Sequence, residues 1–282
     1  MEFGNTNASV LIPDGTVEEA ALARTTHLGV GAHQDDLEIM AFDGILRCFG
    51  RSDQWFCGVT VTDGGGSPRD GIYADYTDDD MKRVRAGEQN KAAVVGEYAA
   101  QVQLGYASSQ VKDSANVNVV ADLASILEVT RPDIVYTHNL ADKHDTHVAV
   151  AGRLVTAIRR LDGDARPKRL LGCEVWRDLD WMVDADKACM NVEGHENLAA
   201  ALIGVYDSQI AGGKRYDLAT MGRRRANATY HASHGLDETT ALVFAMDLMP
   251  LIEDDGLDIA GYAAAHIDRF RADVIARLSK LV

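Results

Sequence analysis

Strand-like and helix-like segments alternate along about the first 175 residues, and this alternation is the feature that most constrains the fold, because it is typical of parallel βαβ units. Short apolar runs are each followed by a longer stretch with helical periodicity. Neither a β-sandwich nor a helix bundle produces this order. We therefore predict an α/β fold of the Rossmann-like, doubly wound type, with a mostly parallel sheet and helices on both faces.

The boundaries of these segments follow from apolar runs, glycines and prolines. The predicted strands of the core are His27–Ala32, Trp55–Val61, Gln101–Gly105, Ile134–Thr137 and Arg169–Val175. The predicted helices between them are Leu37–Phe49, Asp80–Gly96, Val117–Val129 and His144–Leu161. The pattern is looser after Trp176, where we predict a helix at Glu196–Ser208, a strand at Thr240–Leu248 and a helix at Leu257–Leu281.

The chain is long enough, and at 46% hydrophobic residues apolar enough, to bury a full core. No proline- or serine-rich linker divides it. We predict a single domain over residues 1–282, with a core of about 27–176 and a C-terminal part of about 177–282 that shapes the substrate mouth.

Charge and composition narrow the classes of partner. With 28 Lys and Arg against 43 Asp and Glu the net charge is −15, which disfavours nucleic acids and anionic membranes. The N-terminal segment lacks the basic and apolar order of a signal peptide, and no apolar run reaches the about 20 residues that span a bilayer. We expect a cytoplasmic enzyme that acts on a small molecule, and the sequence leaves its oligomeric state open.

The four cysteines, Cys48, Cys57, Cys173 and Cys189, are widely spaced. Without a C-x-x-C pair they favour neither a disulfide scaffold nor a structural zinc knuckle. We expect all four to be buried thiols.

Two clusters of chemically active side chains follow the first and fourth predicted core strands. His33, Asp35 and Asp36 come after one, and His144 and His147 come after the other. In a doubly wound sheet these strands commonly lie side by side, and ligands bind beyond their carboxyl ends. We therefore expect the two clusters to meet in one crevice, although more than a hundred residues separate them in sequence.

The spacing within each cluster suits a divalent transition metal. His33 and Asp36 are three residues apart, as are His144 and His147, so each pair can share one side of a first helical turn. Three of these four side chains could hold one ion and leave a coordination position for water, as catalytic zinc sites do. Asp35 and the remaining histidine would then be free to move protons.

These motifs resemble those of the PIG-L/LmbE-type zinc N-acetylglucosaminyl deacetylases. Ala32–Glu38, AHQDDLE, is similar to the family's A-H-P-D-D-x-E with Gln34 in place of proline, and His144–His147 is similar to its H-x-x-H. Weaker similarity extends over about residues 27–210. It includes Arg85 and Glu88 as an R-x-x-E helix, Asp142 as a D-x-H lead-in, and a Ser208-Gln209 pair.

By position, the resemblance implies that His33, Asp36 and His147 bind Zn²⁺, although other divalent transition metals accept such ligands. It also implies that Asp35 is the general base, that His144 assists and that Arg85 contacts sugar hydroxyls. Two positions depart from the family. Ser108 replaces an Asp that touches the sugar in many members, and Asp142 replaces a Tyr that steadies the oxyanion in some.

The function we predict is metal-dependent hydrolysis of the acetyl amide of an N-acetylglucosamine-type sugar or conjugate, through a zinc-bound water. In this hypothesis Asp35 takes the proton of the water, while the metal and His144, as imidazolium, hold the oxyanion. A carboxylate beside His144, from Asp142 or Asp145, would keep that ring charged.

Two other functions remain open. One is a zinc amidase acting on a larger acyl group or on a thiol conjugate. The other is a sugar- or nucleotide-binding module without catalysis, but the G-x-G-x-x-G sequence expected of a dinucleotide site is absent after the first predicted strand.

Several further side chains have two interpretations. Arg223–Arg225 is interpreted as a solvated basic run, with an anion- or sugar-contacting loop as the alternative. His231 and His234 repeat the H-x-x-H spacing but are interpreted as surface or substrate loop, since no strand precedes them. The Trp176–Trp181 stretch suits either a carbohydrate cleft or core packing. Glu38 is expected to pair with a cation such as Arg85 and brace the loop.

Overall fold

The computed structural model describes residues 1–282 and contains one sheet of eight strands. The strands are β1 (Ser9–Leu11), β2 (His27–Gly31), β3 (Phe56–Thr62), β4 (Ala100–Tyr106), β5 (Ile134–His138), β6 (Arg169–Cys173), β7 (Lys187–Asn191) and β8 (Leu242–Asp247). Their order across the sheet is β1-β4-β3-β2-β5-β6-β8-β7.

The five central strands β4, β3, β2, β5 and β6 are parallel, and β1, β8 and β7 pair antiparallel at the edges. The order reverses between β2 and β5, where His27 pairs with Ile134 on one side and with Phe56 of β3 on the other. This confirms the prediction of a mostly parallel, doubly wound sheet, and it confirms that the first and fourth core strands are neighbours.

Twelve α-helices connect and follow these strands. They are α1 (Glu18–Ala23), α2 (Asp36–Met40), α3 (Phe42–Cys48), α4 (Asp78–Val95), α5 (Ser108–Lys112), α6 (Asn118–Thr130), α7 (Asp145–Arg159), α8 (Glu196–Gly204), α9 (Asp207–Ile210), α10 (Tyr216–Tyr230), α11 (Pro250–Glu253) and α12 (Ile259–Leu281). No helix combines the length and the apolar character that a membrane crossing requires.

Helices cover both faces of the sheet, as predicted. One apolar cluster contains residues of α6 and α7, such as Leu123 and Leu154, packed with Leu28 and Val30 of β2. A second cluster contains residues of α3 and α8, such as Phe42 and Leu202. Because β2, β3 and β5 contribute buried residues to this core, the carboxyl ends of these strands are held in fixed positions.

The predicted helix Leu37–Phe49 is interrupted, and this is a correction. It consists of α2 and α3, which meet at Ala41. The Arg224 guanidinium donates to the backbone carbonyl of Glu38 at 2.7 Å and to that of Ile39 at 3.3 Å. Because these carbonyls accept hydrogen bonds from a side chain, the interruption of the helix leaves neither of them buried without a partner.

The region after residue 176 is more regular than predicted. It contains the edge strand β7 and the helix α10, which the sequence pattern did not reveal, and the predicted helix Glu196–Ser208 divides into α8 and α9. Both β7 and β8 pair in the same sheet as the core strands. The expectation of four buried cysteines holds for Cys48, Cys57 and Cys173 but is wrong for Cys189, which is exposed.

Candidate metal centre and active site

The two predicted clusters lie together where the strand order reverses. His33, Asp35 and Asp36 occupy the turn from β2 into α2, and His144 and His147 occupy the start of α7 after β5. The rings of His33 and His147 have centroids 5.1 Å apart, and those of His33 and His144 are 4.9 Å apart. The topology therefore brings these remote segments to one crevice, as expected.

Three side chains present ligand atoms to a common point. Nδ1 of His33 lies 3.1 Å from Nε2 of His147 and 3.4 Å from Oδ2 of Asp36, and Nε2 of His147 lies 3.5 Å from the same Asp36 oxygen. Ligand atoms about 2.0–2.1 Å from a tetrahedral zinc ion lie about 3.4 Å from one another. Their spacing and chemistry therefore fit a single zinc ion or a similar divalent metal.

The environment favours the protonation states that metal binding requires. Burial alone would raise the pKa of Asp36, but the His147 and His138 imidazoles outweigh it and hold the pKa well below its usual range. Burial lowers the pKa of His147 to about 4, against the opposing charge of Asp36. The site thus pairs an ionised carboxylate with a neutral imidazole.

Asp142 lies behind His147 on the side away from these ligand atoms. Its Oδ1 is 3.7 Å from Nδ1 of His147 and accepts the backbone N–H of His144 at 2.9 Å. Its Oδ2 accepts the backbone N–H of Trp176 at 3.0 Å. The 3.7 Å separation is longer than a hydrogen bond and Nδ1 of His147 has no hydrogen-bond partner, so Asp142 acts on this ring through its charge.

The expectation that a carboxylate keeps His144 charged is not met by this geometry. The side chain of Asp142 faces His147, and Asp145 is exposed. Burial, together with the neighbouring His33 ring, lowers the pKa of His144. The His144 ring, half-buried and stacked on His147 with a centroid distance of 4.7 Å, is therefore neutral near pH 7.

Asp35 has the surroundings of a proton acceptor. Its backbone adopts a left-handed conformation with φ of 93°, which is unusual outside glycine and characteristic of functional sites. Burial raises the pKa of Asp35 to about 7, despite the opposing charge of the Arg85 guanidinium. A carboxylate with such a pKa can both take and give a proton near neutrality.

Arg85 lies beside Asp35 rather than beside Glu38. Its Nη2 is 3.2 Å from Oδ2 of Asp35 and also donates to the carbonyl of Gln34. Glu38 instead accepts hydrogen bonds from the hydroxyls of Tyr98 and Tyr206, both at 2.6 Å. The predicted pairing of Glu38 with Arg85 is therefore wrong. Glu38 instead anchors α2 through its hydrogen bonds to the two tyrosines.

His138 is a site residue that the sequence reasoning missed. It is fully buried, its ring stacks on His147 with centroids 3.9 Å apart, and its Nε2 lies 3.4 Å from Oδ2 of Asp36. The same Nε2 accepts the backbone N–H of Ala32. The sequence did contain an indication of this role. A histidine at the last position of an apolar strand lies at the same sheet edge as the two clusters.

The weaker family positions also come together. Glu88 accepts from the backbone N–H and the hydroxyl of Ser208 at 2.7 and 2.6 Å, so the R-x-x-E helix α4 is tied to α9. Ser108 and Gln209 line the same cavity as His33 and Asp35.

This cavity has a volume of about 550 Å³ and is lined by both the core and the C-terminal part. Trp176 is among its lining residues, whereas Trp181 packs against the core.

The interpretation of Arg223–Arg225 as a solvated run is wrong for two of the three, because Arg223 and the buried Arg224 line the cavity. His231 contacts Cys189, and His234 is exposed, so neither joins the metal cluster.

Together, the fold and site define a doubly wound α/β protein with a cluster of His and Asp side chains, able to hold a metal ion, at the switch point of its sheet. The model of the PIG-L family, described as GlcNAc-PI de-N-acetylase, matches residues 28–158. The matched residues, slightly less than half of the chain, are thus similar to a PIG-L domain, whose description is that of a de-N-acetylase. No protein of curated function matches the chain by sequence.

Solved structures share the fold at low sequence identity. The conserved protein TT1542 from Thermus thermophilus is 18% identical, with a TM-score of 0.60 over 82% of this chain and 98% of that one. The N,N'-diacetylchitobiose deacetylase from Pyrococcus horikoshii is 15% identical, with a TM-score of 0.57 over 79% and 84%. The 4-carboxy-2-hydroxymuconate hydratase GalB from Pseudomonas putida KT2440 is also 15% identical, with a TM-score of 0.58 over 79% and 95%.

Proposed function

We propose that this protein is a metal-dependent N-deacetylase that removes the acetyl group from an N-acetylglucosamine-type sugar or conjugate. The observation that carries the proposal is the approach of Nδ1 of His33, Oδ2 of Asp36 and Nε2 of His147 to within 3.1–3.5 Å of one another beside the Asp35 carboxylate. The PIG-L-family match over the same residues supports it.

We assign His33, Asp36 and His147 as the ligands of Zn²⁺, with the Asp142 carboxylate facing His147 and His138 contacting Asp36. Zinc in such a site supplies a water of lowered pKa and polarises the acyl oxygen. Other divalent transition metals accept the same ligands.

Asp35 is the general base in this proposal. Its carboxylate accepts the proton of the attacking water and then donates it to the nitrogen of the departing amine. This protonation is required because the amine leaves readily only in its neutral form and not as an anion. The Arg85 guanidinium, 3.2 Å from Oδ2 of Asp35, fixes the direction of that carboxylate. Arg85 also lines the cavity, where the resemblance assigns it a contact to sugar hydroxyls.

Two side chains can stabilise the negative charge that develops on the acyl oxygen. His144, neutral in these surroundings, can donate its ring N–H. Tyr216, from the C-terminal part of the chain, lines the same cavity. Burial and the nearby carboxylates of Asp35 and Asp36 raise the pKa of Tyr216, which keeps the hydroxyl protonated as a donor.

An amidase acting on a larger acyl group or on a thiol conjugate is the alternative. The cavity has a volume of about 550 Å³, which is larger than an acetyl group and one sugar ring require. A larger acyl group could therefore also reach the proposed metal ligands. The hydratase GalB further shows that this fold also occurs in a protein named for a different reaction, so the fold by itself does not select amide hydrolysis.

The test is a panel of glucosamine derivatives carrying N-acetyl, N-propionyl and N-butyryl groups, assayed for the free amine and the released acid. We expect amine and acid in equal amounts, fastest for acetyl, abolished by a chelator and restored by Zn²⁺. A preference for the longer acyl groups would favour the amidase alternative. If the metal-loaded protein releases no amine from any derivative, the proposal is contradicted. The remaining functions would then be a binding module or a hydratase.

A further inference from the structure

The charge in the cavity is opposite to the charge of the chain. The whole protein has a net charge of −15. The cavity, however, is lined by five cationic side chains against three carboxylates. The cations are Arg85, Lys112, Lys214, Arg223 and Arg224, and the carboxylates are Asp35, Asp36 and Glu174.

The three carboxylates are already engaged by other groups. Asp36 faces the imidazoles and Asp35 faces Arg85. Glu174 accepts from the backbone N–H of Leu179 at 2.8 Å and from the side-chain amide of Asn227 at 3.0 Å. Among the cations Arg85 forms an ion pair with Asp35, whereas Lys112 and Lys214 form none. Arg223 lies beyond ion-pair distance of Glu174, but its charge opposes the rise in the pKa of Glu174 that burial causes. Positive charge in the cavity is therefore incompletely neutralised.

Two of these cations share one wall with aromatic rings. The Lys214 ammonium lies 5.0 Å from the centroid of the Trp176 ring, and the Tyr216 ring lies 6.1 Å from the same ring. Arg223 is held beside them, because it donates to the backbone carbonyl of Val175. We call Trp176, Lys214, Tyr216 and Arg223 the Trp176 wall.

A third cation lies deeper. Arg224 is 4% exposed, its guanidinium is 4.3 Å from the centroid of the Phe42 ring, and it has backbone carbonyls but no carboxylate as partners. Its Nε has no hydrogen-bond partner. A guanidinium buried without a counter-ion is costly, and an anion bound in the adjoining cavity would offset that cost.

We propose that the cavity binds a substrate with an anionic substituent, a phosphate or a carboxylate, held by Lys214 and Arg223 of the Trp176 wall. The sugar ring would pack on the aromatic faces of the same wall, which suit its apolar face. This rests on the proposed function, because it names the substrate class of the same cavity as an acidic N-acyl amino sugar. Lysine binds phosphate as a point charge, and arginine adds directed donors.

The experiment measures affinity by calorimetry and turnover by acetate release with the metal-loaded protein. The ligands are N-acetylglucosamine, its 1-phosphate, its 6-phosphate and its 3-O-lactyl ether, so that phosphate and carboxylate are compared with a neutral parent. We expect at least one anionic ligand to bind about tenfold more tightly than the parent, as for one added charge-assisted contact. Raising the salt from about 50 to 500 mM should narrow this difference.

Variants separate the wall from the metal as the anion site. Lys214→Met and Arg223→Met should each reduce the anionic preference at least about threefold. Lys91→Met is the matched control, since Lys91 is exposed on α4 and the substitution removes the same charge far from the cavity lining. Circular dichroism shows whether each variant is folded. Arg224→Met is unsuitable, because it removes the donor to the Glu38 carbonyl.

Each outcome bears on the inference. Equal affinity for neutral and anionic ligands would overturn it, and continued acetate release would leave the deacetylase proposal standing. An anionic preference that survives both wall variants would also overturn it, because the anion would then be bound by groups other than Lys214 and Arg223. A preference that the wall variants alone diminish supports it, even if no acetate is released and the deacetylase proposal fails.

Discussion

The core, residues 27–176, and the C-terminal part, residues 177–282, contribute different things to the cavity. The core supplies side chains on the first turns of α2 and α7, and the proposed ligands Asp36 and His147 are 2% and 0% exposed. The C-terminal part supplies long, half-buried side chains from α10 and the segment before it, namely Lys214, Tyr216 and Arg223. The proposed reactive groups are thus fixed by the topology of the sheet, whereas most of the groups proposed to contact the substrate lie on α10 and the segment before it.

The two regions are joined by buried polar contacts. Tyr206 of the C-terminal part donates to the Glu38 carboxylate, and Arg224 donates to the end of α2. These contacts position the C-terminal part next to the candidate metal site. The different contributions of the two regions can be tested by changing one residue at a time in each.

The largest expected effect is at the metal ligands of the core. His147→Ala should reduce the bound metal from about one ion per chain to almost none, because a neutral imidazole ligand is lost. Amide hydrolysis should fall by about three orders of magnitude or more. Elemental analysis and acetate release measure both quantities. His234→Ala, at an exposed histidine with the same H-x-x-H spacing, should retain both metal and activity; metal loss in that control would show that the second motif binds metal after all.

Asp35→Asn should separate chemistry from metal binding within the core. Asparagine keeps the size of the side chain and tolerates the positive φ of this position. Turnover should decrease about 10²- to 10⁴-fold, as for loss of a general base, while the metal content stays unchanged. Asp145→Asn at the exposed start of α7 is the control. Turnover close to that of the unmodified protein in Asp35→Asn would remove Asp35 from the role of base.

Tyr216→Phe asks whether the C-terminal part takes part in the chemistry or only in binding. Loss of a donor to the acyl oxygen should lower kcat about 10- to 100-fold with little change in KM. Tyr230→Phe on the same helix, at a side chain that is 82% exposed, should leave kcat unchanged. A rise in KM at constant kcat would instead limit Tyr216 to substrate binding.

The smallest effect concerns the junction of the two regions. Tyr206→Phe removes a 2.6 Å hydrogen bond to Oε2 of the buried Glu38. The free energy of unfolding should fall by about 1–3 kcal/mol, since a buried carboxyl group loses one of its hydrogen-bond partners. Urea denaturation measures this loss, with Tyr230→Phe again as control, expected to stay within about 0.5 kcal/mol. Equal stability of the two variants would show that Tyr206 does not hold the regions together.

Much of the core could be predicted from sequence because apolar periodicity and strand ends are local signals. They specified the neighbouring β2 and β5 and therefore the meeting of His33 and Asp36 with His147. Partners set by packing were not predictable. Glu38 is bound by Tyr98 and Tyr206, which lie 60 and 168 residues away in sequence, and no local pattern indicates such pairings. Likewise, Arg224 is buried by tertiary contacts although three consecutive arginines are typical of a surface.

One carboxylate serves both regions at once. Asp142 contacts the ring of His147 through one oxygen and receives the Trp176 backbone N–H through the other. If a sugar packs on the Trp176 ring, as proposed, any shift of that backbone N–H acts on the carboxylate that faces His147. A coupling between occupancy of the Trp176 wall and affinity for the metal would then have the same magnitude in both directions.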